Sequence, residues 1–517
     1  MKLVTVAEML AIEQEADAAG LSYAQMMQNA GASLATIIEK TFNYGQPEPT
    51  VLALTGKGNN GGDALVALTA LRAHGWRTIA YLVGRGDSDE LLDTYRSAGG
   101  ALIAADSDPD FDYLEAALDE CDVLLDGLLG TGTRLPLRGA VAAVLAAAQQ
   151  QLDELDDLPD IVAVDCPSGV DADTGQAAPE TLEADLTVTM AAAKSGLFAF
   201  PAAALTGDIE VASIGDLSGL ATWSQASCQV IDSDWVKERL PLRLPDTHKG
   251  SFGRVLAAAG SVPYSGAAYL AGQAAFRAGA GWVTMAVIPE VHQVLAGSYP
   301  EATWLILPGE AGVLAAAAAE VLSSNLERAT ALLIGPGLDR QPETLQFLDH
   351  VLSSELPPLV MDADGLNLLA RLENWPGRLP PETILTPHPG EMSLLSGLTT
   401  AEIQSQRLQV ARQYAAQWGH VVVLKGAFTI VASPEGQAAM IPAATAALAR
   451  AGTGDVLAGL TAGLRAQGMP AFDAAACAAW IHGMAGLHAH QELGSAAAVL
   501  AGDVLDAVID VQAELEF

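Results

Sequence analysis

The run TVLALTGKGNNGGDALVALTAL, Thr50–Leu71, decides the fold. A β-forming apolar stretch, TVLALT, enters a glycine-rich turn, and an apolar helical stretch from Gly62 to about His74 leaves it. A strand that ends in such a turn and leads into a helix opens a βαβ unit. Gly56, Gly58 and Gly61 satisfy G-x-G-x-x-G, so bare backbone and a helix N-terminus can face phosphate. Asn59, Asn60 and Asp63 crowd polar side chains into the same turn, which phosphate binding alone does not require.

Outward from this unit the same rhythm continues. TIAYLVG, DVLLDGLLG and DIVAVDCPSG read as further strands with helices between them, which implies a parallel sheet with right-handed crossovers. A second series opens at GRVLAAAGS (Gly253–Ser261) and runs through WVTMAVIP, ALLIGPG, LVMDADG, ETILTPHPG and HVVVLKG. The βα rhythm lapses around SDWVKERLPLRLPDTHKG. We therefore expect an α/β chain of two domains, 1–217 and 240–517, joined by a linker at 218–239; at 517 residues the chain is too long for one ordinary core. The opening MKLVTVAEMLAIEQEADAAG reads as an amphipathic helix, neither a secretory signal nor a span, and AGVLAAAAAEV (Ala311–Val321) reads as a helix too short to cross a bilayer. DELDDLPD (Asp153–Asp160) reads as a solvated helix end.

Charge limits the partners. With 25 Lys plus Arg against 62 Asp plus Glu, the net charge of −37 leaves no basic footprint for nucleic acid, and no segment calls for a membrane. An anionic nucleotide would have to be held by backbone amides and a few placed cations against that field. Cys121, Cys166, Cys228 and Cys477 show neither zinc nor disulfide spacing, which suits a reducing cytoplasm.

In an open parallel sheet, ligands bind beyond the carboxyl ends of the strands. Three loops there are polar: GKGNNGGD, DGLLGTGTRLPLRG (Asp126–Gly139) and DCPSGVDADTG (Asp165–Gly175). The dinucleotide fingerprint is incomplete, because the next strand ends in LVGRGD, with Arg85 where a ribose-binding acid should stand. No G-x-x-x-x-G-K-[ST] loop occurs. Asp126, Asp165, Asn60 and Ser168 can hold a hard cation or position a general acid/base; the plainer alternative makes the two aspartates caps of Asx turns.

NNGGDALVA, DGLLGTG and VDCPSGVDADTG resemble the signatures of NAD(P)H-hydrate epimerase domains, in order and spacing over nearly all of residues 1–215. The resemblance implies a Rossmann-like parallel sheet and a substrate, NAD(P)HX, that is NADH or NADPH hydrated on its nicotinamide ring, with its R and S epimers interconverted. It implies substrate contacts from Asn59, Asn60, Gly61, Gly62 and Asp63 and from Gly130, Thr131, Gly132, Thr133, Arg134, Leu135 and Pro136. Asp165 would be the acid/base group, and Asn60, Asp126 and Ser168 would hold potassium. Ala64 stands where many relatives carry glycine, a harmless change in a first helical turn.

In the second half, ARAGTGDVLAGLTAGL (Ala449–Leu464) puts two glycines and Asp455 at the start of an apolar helix, so that first-turn amides face developing negative charge. An Asp N-cap would explain Asp455 but not both glycines. HVVVLKGAFTIVASPEG reads as a hairpin with Lys425 and Gly426 at a strand end, TPHPGEM sets His388 on a stiff loop, and of Asp362 and Asp364 one is expected to cap the next helix. With HKGSFGRVLAAAGS and GPGL, these segments resemble the ribokinase-like, ADP/ATP-dependent NAD(P)H-hydrate dehydratase domains over about residues 240–510. The resemblance implies that the nucleotide phosphorylates the ring hydroxyl of the S epimer and that loss of phosphate restores NAD(P)H. Lys425, Gly426, Ala427, Phe428, Thr429 and Gly454 would bind ADP or ATP with magnesium. Ala267, Gly337, His388 and Asp455 would contact NAD(P)HX, Asp455 as base, and such domains commonly form homo-oligomers.

His482, His488 and His490 lack ligand-spaced acidic or Cys partners and read as helix surface or packing. Two other functions stay open on the residues: a small-molecule kinase acting on a vitamin-precursor alcohol, with the first domain a nucleotide sensor, and a first domain that binds a dinucleotide without turnover.

Overall fold

The computed structural model describes all residues except 43, 44, 46, 47, 87, 88 and 517. The chain forms two compact units, Met1–Ser227 and Cys228–Phe517. Within 218–239 lie the helix Ala221–Gln225, the strand Cys228–Val230 and the helix Ser233–Lys237.

In the first unit, seven parallel strands stand in the order Ala101–Ala104, Arg77–Val83, Thr50–Gly56, Val123–Gly127, Asp160–Val164, Leu186–Met190, Asp208–Ala212. Side chains alternate between the faces of a strand, and here both faces are covered. Val51 and Ala53 belong to one buried cluster, Leu52 and Leu54 to the other. After Thr50–Gly56 the chain builds outward on one side, then returns to lay Val123–Gly127 on the other, which makes the gap between these two strands the topological switch point. Thr55 pairs with Gly127, so the two following loops leave the sheet side by side.

Three strands of this sheet escape the sequence reading: Ala101–Ala104, Leu186–Met190 and Asp208–Ala212. LTVTM alternates apolar and hydroxyl residues like a half-exposed strand, yet all five are buried, Thr187 donating to the Thr206 carbonyl at 2.7 Å. The N-terminus also departs from a simple helix. Lys2–Val4 form a short strand parallel to Ala193–Lys194, and the helix Val6–Ala18 starts only after Thr5, whose side chain caps it in a capping box with Glu8.

In the second unit the parallel strands run Thr303–Ile306, Trp282–Val287, Arg254–Ala258, Ala331–Ile334, Leu359–Met361, Ile384–Leu385, Val421–Leu424. Ile430–Ala432 and Ala438–Met440 continue the sheet antiparallel, and Cys228–Val230 pairs parallel with Ala438–Met440. The switch point lies between Arg254–Ala258 and Ala331–Ile334. The helix Thr453–Ala466 is buried over nearly its whole length. It packs on Ser265–Arg277, and a Cβ at Gly459 or Gly463 would lie 2.1 Å from the Ala271 carbonyl or 2.5 Å from that of Ala275.

The run Ala311–Val321 is not one helix. Ala311 and Gly312 take positive φ, Val313–Leu314 pair antiparallel with Gly309–Glu310, and helix begins only at Ala318. No helix among the described residues is long and apolar enough to cross a membrane, and Cys121, Cys166 and Cys477 are free thiols.

Candidate active sites

In the first unit the polar loops converge on the switch point. Asn60, in the first turn of the Asn59–Ala73 helix, donates through Nδ2 to the carbonyls of Leu129, at 3.0 Å, and Val164. Its Oδ1 therefore turns toward Gly130, where a Cβ would lie only 2.2 Å away. Asp126 is buried, accepting from the amides of Ser168 at 2.7 Å and Leu128 at 3.4 Å, and burial raises its carboxyl against those bonds. Ser168 Oγ lies 2.9 Å from the Leu129 amide, from which it accepts. The Asp126 carboxylate has no ion-pair partner among the described residues.

Asp165, just past the strand Asp160–Val164, takes φ +66, the left-handed region that an Asp tolerates better than most residues. Its Oδ1 accepts from the Met190 amide at 3.0 Å, Thr189 Oγ1 at 3.3 Å and Lys194 Nζ. Asp63 is buried nearby, and burial, then the charges of Asp165 and Glu13, push it well above the usual carboxylate range. Arg85 braces the glycine turn, donating to the Gly56 carbonyl at 2.8 Å and pairing with Asp89 at 2.6 Å.

In the second unit, the loops after three strands meet the start of the Thr453–Ala466 helix. Lys425 Nζ lies 2.5 Å from Asp362 Oδ1 and 3.7 Å from Glu391 Oε2. Burial alone would lower its pKa, but Asp362, Glu391 and Asp455 outweigh that and raise it. A Cβ on Gly454 would stand 3.5 Å from Lys425 Nζ and 4.0 Å from Asp362 Oδ2, which puts the glycine turn directly over this ion pair. Gly452, at φ +96, is the N-cap and Asp455 the third helical residue, so Asp455 does not cap. Burial, Asp362 and Asp364 push its carboxyl up to about 7 against Lys425. Glu391 is likewise held at about 7, by burial first.

Neither Asp362 nor Asp364 caps the helix Asp364–Leu369 through its side chain, contrary to expectation. Ala363 is the N-cap, Asp362 accepts from Thr386 and Lys425, and Asp364 accepts from the Asp339 amide at 3.0 Å. His388 caps Pro389–Ser396, its Nδ1 accepting from the amides of Gly390 and Glu391, which places the ring proton on Nε2. Gly337 and Ala267 touch, a Cβ on Gly337 lying 2.8 Å from that of Ala267. Thr429 Oγ1 closes the Lys425–Thr429 turn on the Gly426 carbonyl at 2.9 Å. Arg407 braces it through the Leu424 carbonyl at 3.0 Å. His482 is buried with Nε2 unpartnered, His488 pairs with Glu514 at 3.1 Å, and no cluster of His, Cys, Asp or Glu among the described residues could hold a metal.

Sequence reading passed over Lys194, Glu13, Glu391 and Arg407. Lys194 carried a signal, a lysine inside the apolar run LTVTMAAAK in a chain with few cations. Glu13 carried none, since only the fold brings the first helix to the pocket of Asp165.

Two strand-end clusters, one a glycine turn beside buried carboxylates at the switch point of the first sheet and one a helix N-terminal turn over a lysine–carboxylate pair in the second unit, make this a two-site α/β protein with anion-facing backbone in each unit. Residues 255–509 match the NAD(P)H-hydrate dehydratase family, and residues 23–196 match the YjeF-related protein N-terminus family. The bifunctional NAD(P)H-hydrate repair enzyme of Moorella thermoacetica is 39% identical over 100% of this chain and 97% of its own. The Escherichia coli enzyme of that name is 32% identical over 91% of this chain and 86% of its own. An ADP/ATP-dependent NAD(P)H-hydrate dehydratase from Bacillus subtilis, co-crystallised with ATP/Mg2+, is 32% identical at a TM-score of 0.49, covering 55% of this chain and 98% of its own. The chain belongs to the bifunctional NAD(P)H-hydrate repair enzymes. Its N-terminal part epimerises R- and S-NAD(P)HX, and its C-terminal part dehydrates the S epimer to NAD(P)H at the expense of ADP or ATP.

Proposed function

We propose that Asp165 is the proton-transfer group of the epimerase and Asp455 the base of the dehydratase. The observation that carries the first assignment is the asymmetry of Asp165: three donors meet Oδ1, and none among the described residues meets Oδ2. One oxygen is anchored and the other can exchange a proton at the hydroxylated ring carbon or its hydroxyl. The loops 59–63 and 130–136 flank it and supply the backbone for the dinucleotide phosphates.

In the dehydratase, Asp455 takes the proton of the ring hydroxyl as the hydroxyl oxygen bonds to the terminal phosphorus of ADP or ATP and the bridging P–O bond breaks, releasing AMP or ADP. Loss of phosphate with its C–O bond, and of a ring proton, then restores the double bond. A carboxyl held at about 7 is half ionised at neutral pH and basic enough to accept that proton. Lys425 and the amides of Lys425–Thr429 and Gly454 bind the nucleotide phosphates, while Ala267, Gly337 and His388 bind NAD(P)HX.

Asn60, Asp126 and Ser168 fit potassium: the donors are all oxygen, and the buried Asp126 has no cationic partner among the described residues. Bound there, the ion would neutralise Asp126 and fix the two loops. Magnesium would arrive with ADP or ATP and offset the repulsion between polyphosphate and Asp362, Glu391 and Asp455. The free thiols of Cys121, Cys166 and Cys477 suit a cytoplasmic setting, and assembly into a homo-oligomer is expected, to be read from light scattering.

The test follows reduced-nicotinamide absorbance from an R/S mixture of NADHX with magnesium, potassium and ADP, ATP or neither. Complete nucleotide-dependent recovery is expected. In Asp165→Asn only the S fraction should recover, and in Asp455→Asn none should, although R and S still exchange.

A further inference from the structure

We propose that Lys194 is a positioning residue for epimerisation: from a buried site it anchors the Asp165 carboxylate by one oxygen, opposes its charge, and leaves the other oxygen to the substrate. The inference rests on Asp165 being the proton-transfer group. Lys194 is 1% exposed, and lysine is among the residues least often buried unless paired. Its ammonium has three protons, and three acceptors take them: Asp165 Oδ1, Thr189 Oγ1 at 3.1 Å and the Met190 carbonyl at 2.9 Å. With no donor to spare, Lys194 does not itself serve the substrate.

Its placement differs from that of a lysine that merely ties two loops. Asp165 sits in left-handed backbone at the strand end, and its N–H is fixed to the Val188 carbonyl at 2.8 Å, in the strand preceding Lys194. Among the described residues, the hydrogen bonds that orient the carboxylate come from Thr189, Met190 and Lys194. Around the pair stand Asp63 on the Asn59–Ala73 helix, Glu13 on the Val6–Ala18 helix and the Cys166 thiol, which burial keeps neutral. Lys194 is the cation that offsets the mutual repulsion of these carboxyls among the described residues. Burial and the charges of Asp165 and Glu13 hold Asp63 well above the usual carboxylate range. Replacing the ammonium by a methyl group would leave three crowded carboxyls without a counter-charge and take from Asp165 Oδ1 one of the three donors that fix it.

The experiment uses the full-length chain with Lys194→Met, Lys194→Arg and Asp165→Asn, following conversion of R-NADHX from pH 5 to 9 at saturating potassium. In Lys194→Met we expect kcat to fall about 100-fold with little change in KM and with dehydration of S-NADHX unchanged. In Lys194→Arg kcat should fall only about tenfold, because a guanidinium keeps the charge but its plane cannot reproduce the three bonds of a compact ammonium. A fall in kcat matched by a rise in KM, or equal in Lys194→Met and Lys194→Arg, would make the lysine merely structural and overturn the proposal. If Lys194→Met does not fold, wild-type kcat in Lys194→Arg overturns it equally. Epimerisation surviving in Asp165→Asn would instead overturn the role of Asp165, whatever the lysine variants do.

Discussion

Asp455 bears the largest consequence of a single residue's surroundings. Its carboxyl is held at about 7, by burial first and then by Asp362 and Asp364, whereas an unfolded Asp titrates near ~3.9. The folded state therefore keeps a proton that the unfolded state releases, so stability falls as pH rises from about 4 through about 7. Asp455→Asn removes that loss: at pH 8 the variant's second unit should be more stable than wild type by roughly 1–3 kcal/mol, and the difference should shrink as pH falls toward about 4, as read from thermal unfolding across that range. In the active enzyme the same group should give kcat/KM for dehydration an acid limb near 7, the free enzyme needing the ionised base. Asp455, Asp165 and Asp126 each stood out in the sequence as a carboxylate at a strand end or helix start, Asp126 and Asp455 next to a glycine. Their neighbours were not. Lys194 reaches Asp165 over 29 positions and Lys425 reaches Asp362 over 63, and no local pattern encodes such a contact.

At the scale of elements, two close approaches bear on the proposed sites. The N-terminal turn of Thr453–Ala466 lies over the Lys425–Asp362 pair, and a methyl on Gly454 would make ordinary contacts of 3.5 and 4.0 Å with it. Gly454→Ala should therefore fold, yet fill the space a phosphoryl group needs and raise KM for ADP and ATP at least about tenfold; an unchanged KM would place the nucleotide elsewhere. Gly130 differs, because its methyl would fall 2.2 Å from Asn60 Oδ1. Gly130→Ala should raise the potassium concentration for half-maximal epimerisation by about tenfold or more while dehydration of S-NADHX continues, measured by titrating potassium at constant ionic strength. The βα rhythm showed in the sequence because strands buried on both faces read as continuous apolar runs, as VLAL and VVVL do. LTVTM failed to show because its threonines are satisfied by tertiary bonds to Thr206 and Asp165, and the alanine run at 311–321 misled because positive φ at Ala311 and Gly312 overrides helix propensity.

Over the whole molecule the net charge of −37 works against every substrate, since NAD(P)HX and nucleotides are polyanions. The local fields do not reverse this. Lys425 stands among Asp362, Glu391 and Asp455, and Lys194 among Asp165, Asp63 and Glu13. Backbone amides and bound cations must then provide much of the attraction, and the long-range term opposes encounter. Screening should accordingly help. Between about 10 mM and about 150 mM ionic strength the Debye length shrinks from roughly 30 Å to roughly 8 Å. With potassium and magnesium held fixed and a tetraalkylammonium salt varied, kcat/KM for both substrates should rise severalfold over that range while kcat changes little. A fall with salt would mean that local cations outweigh the global charge at the pocket mouths, and the anion-binding amides would then be secondary to lysine and arginine in drawing substrate in.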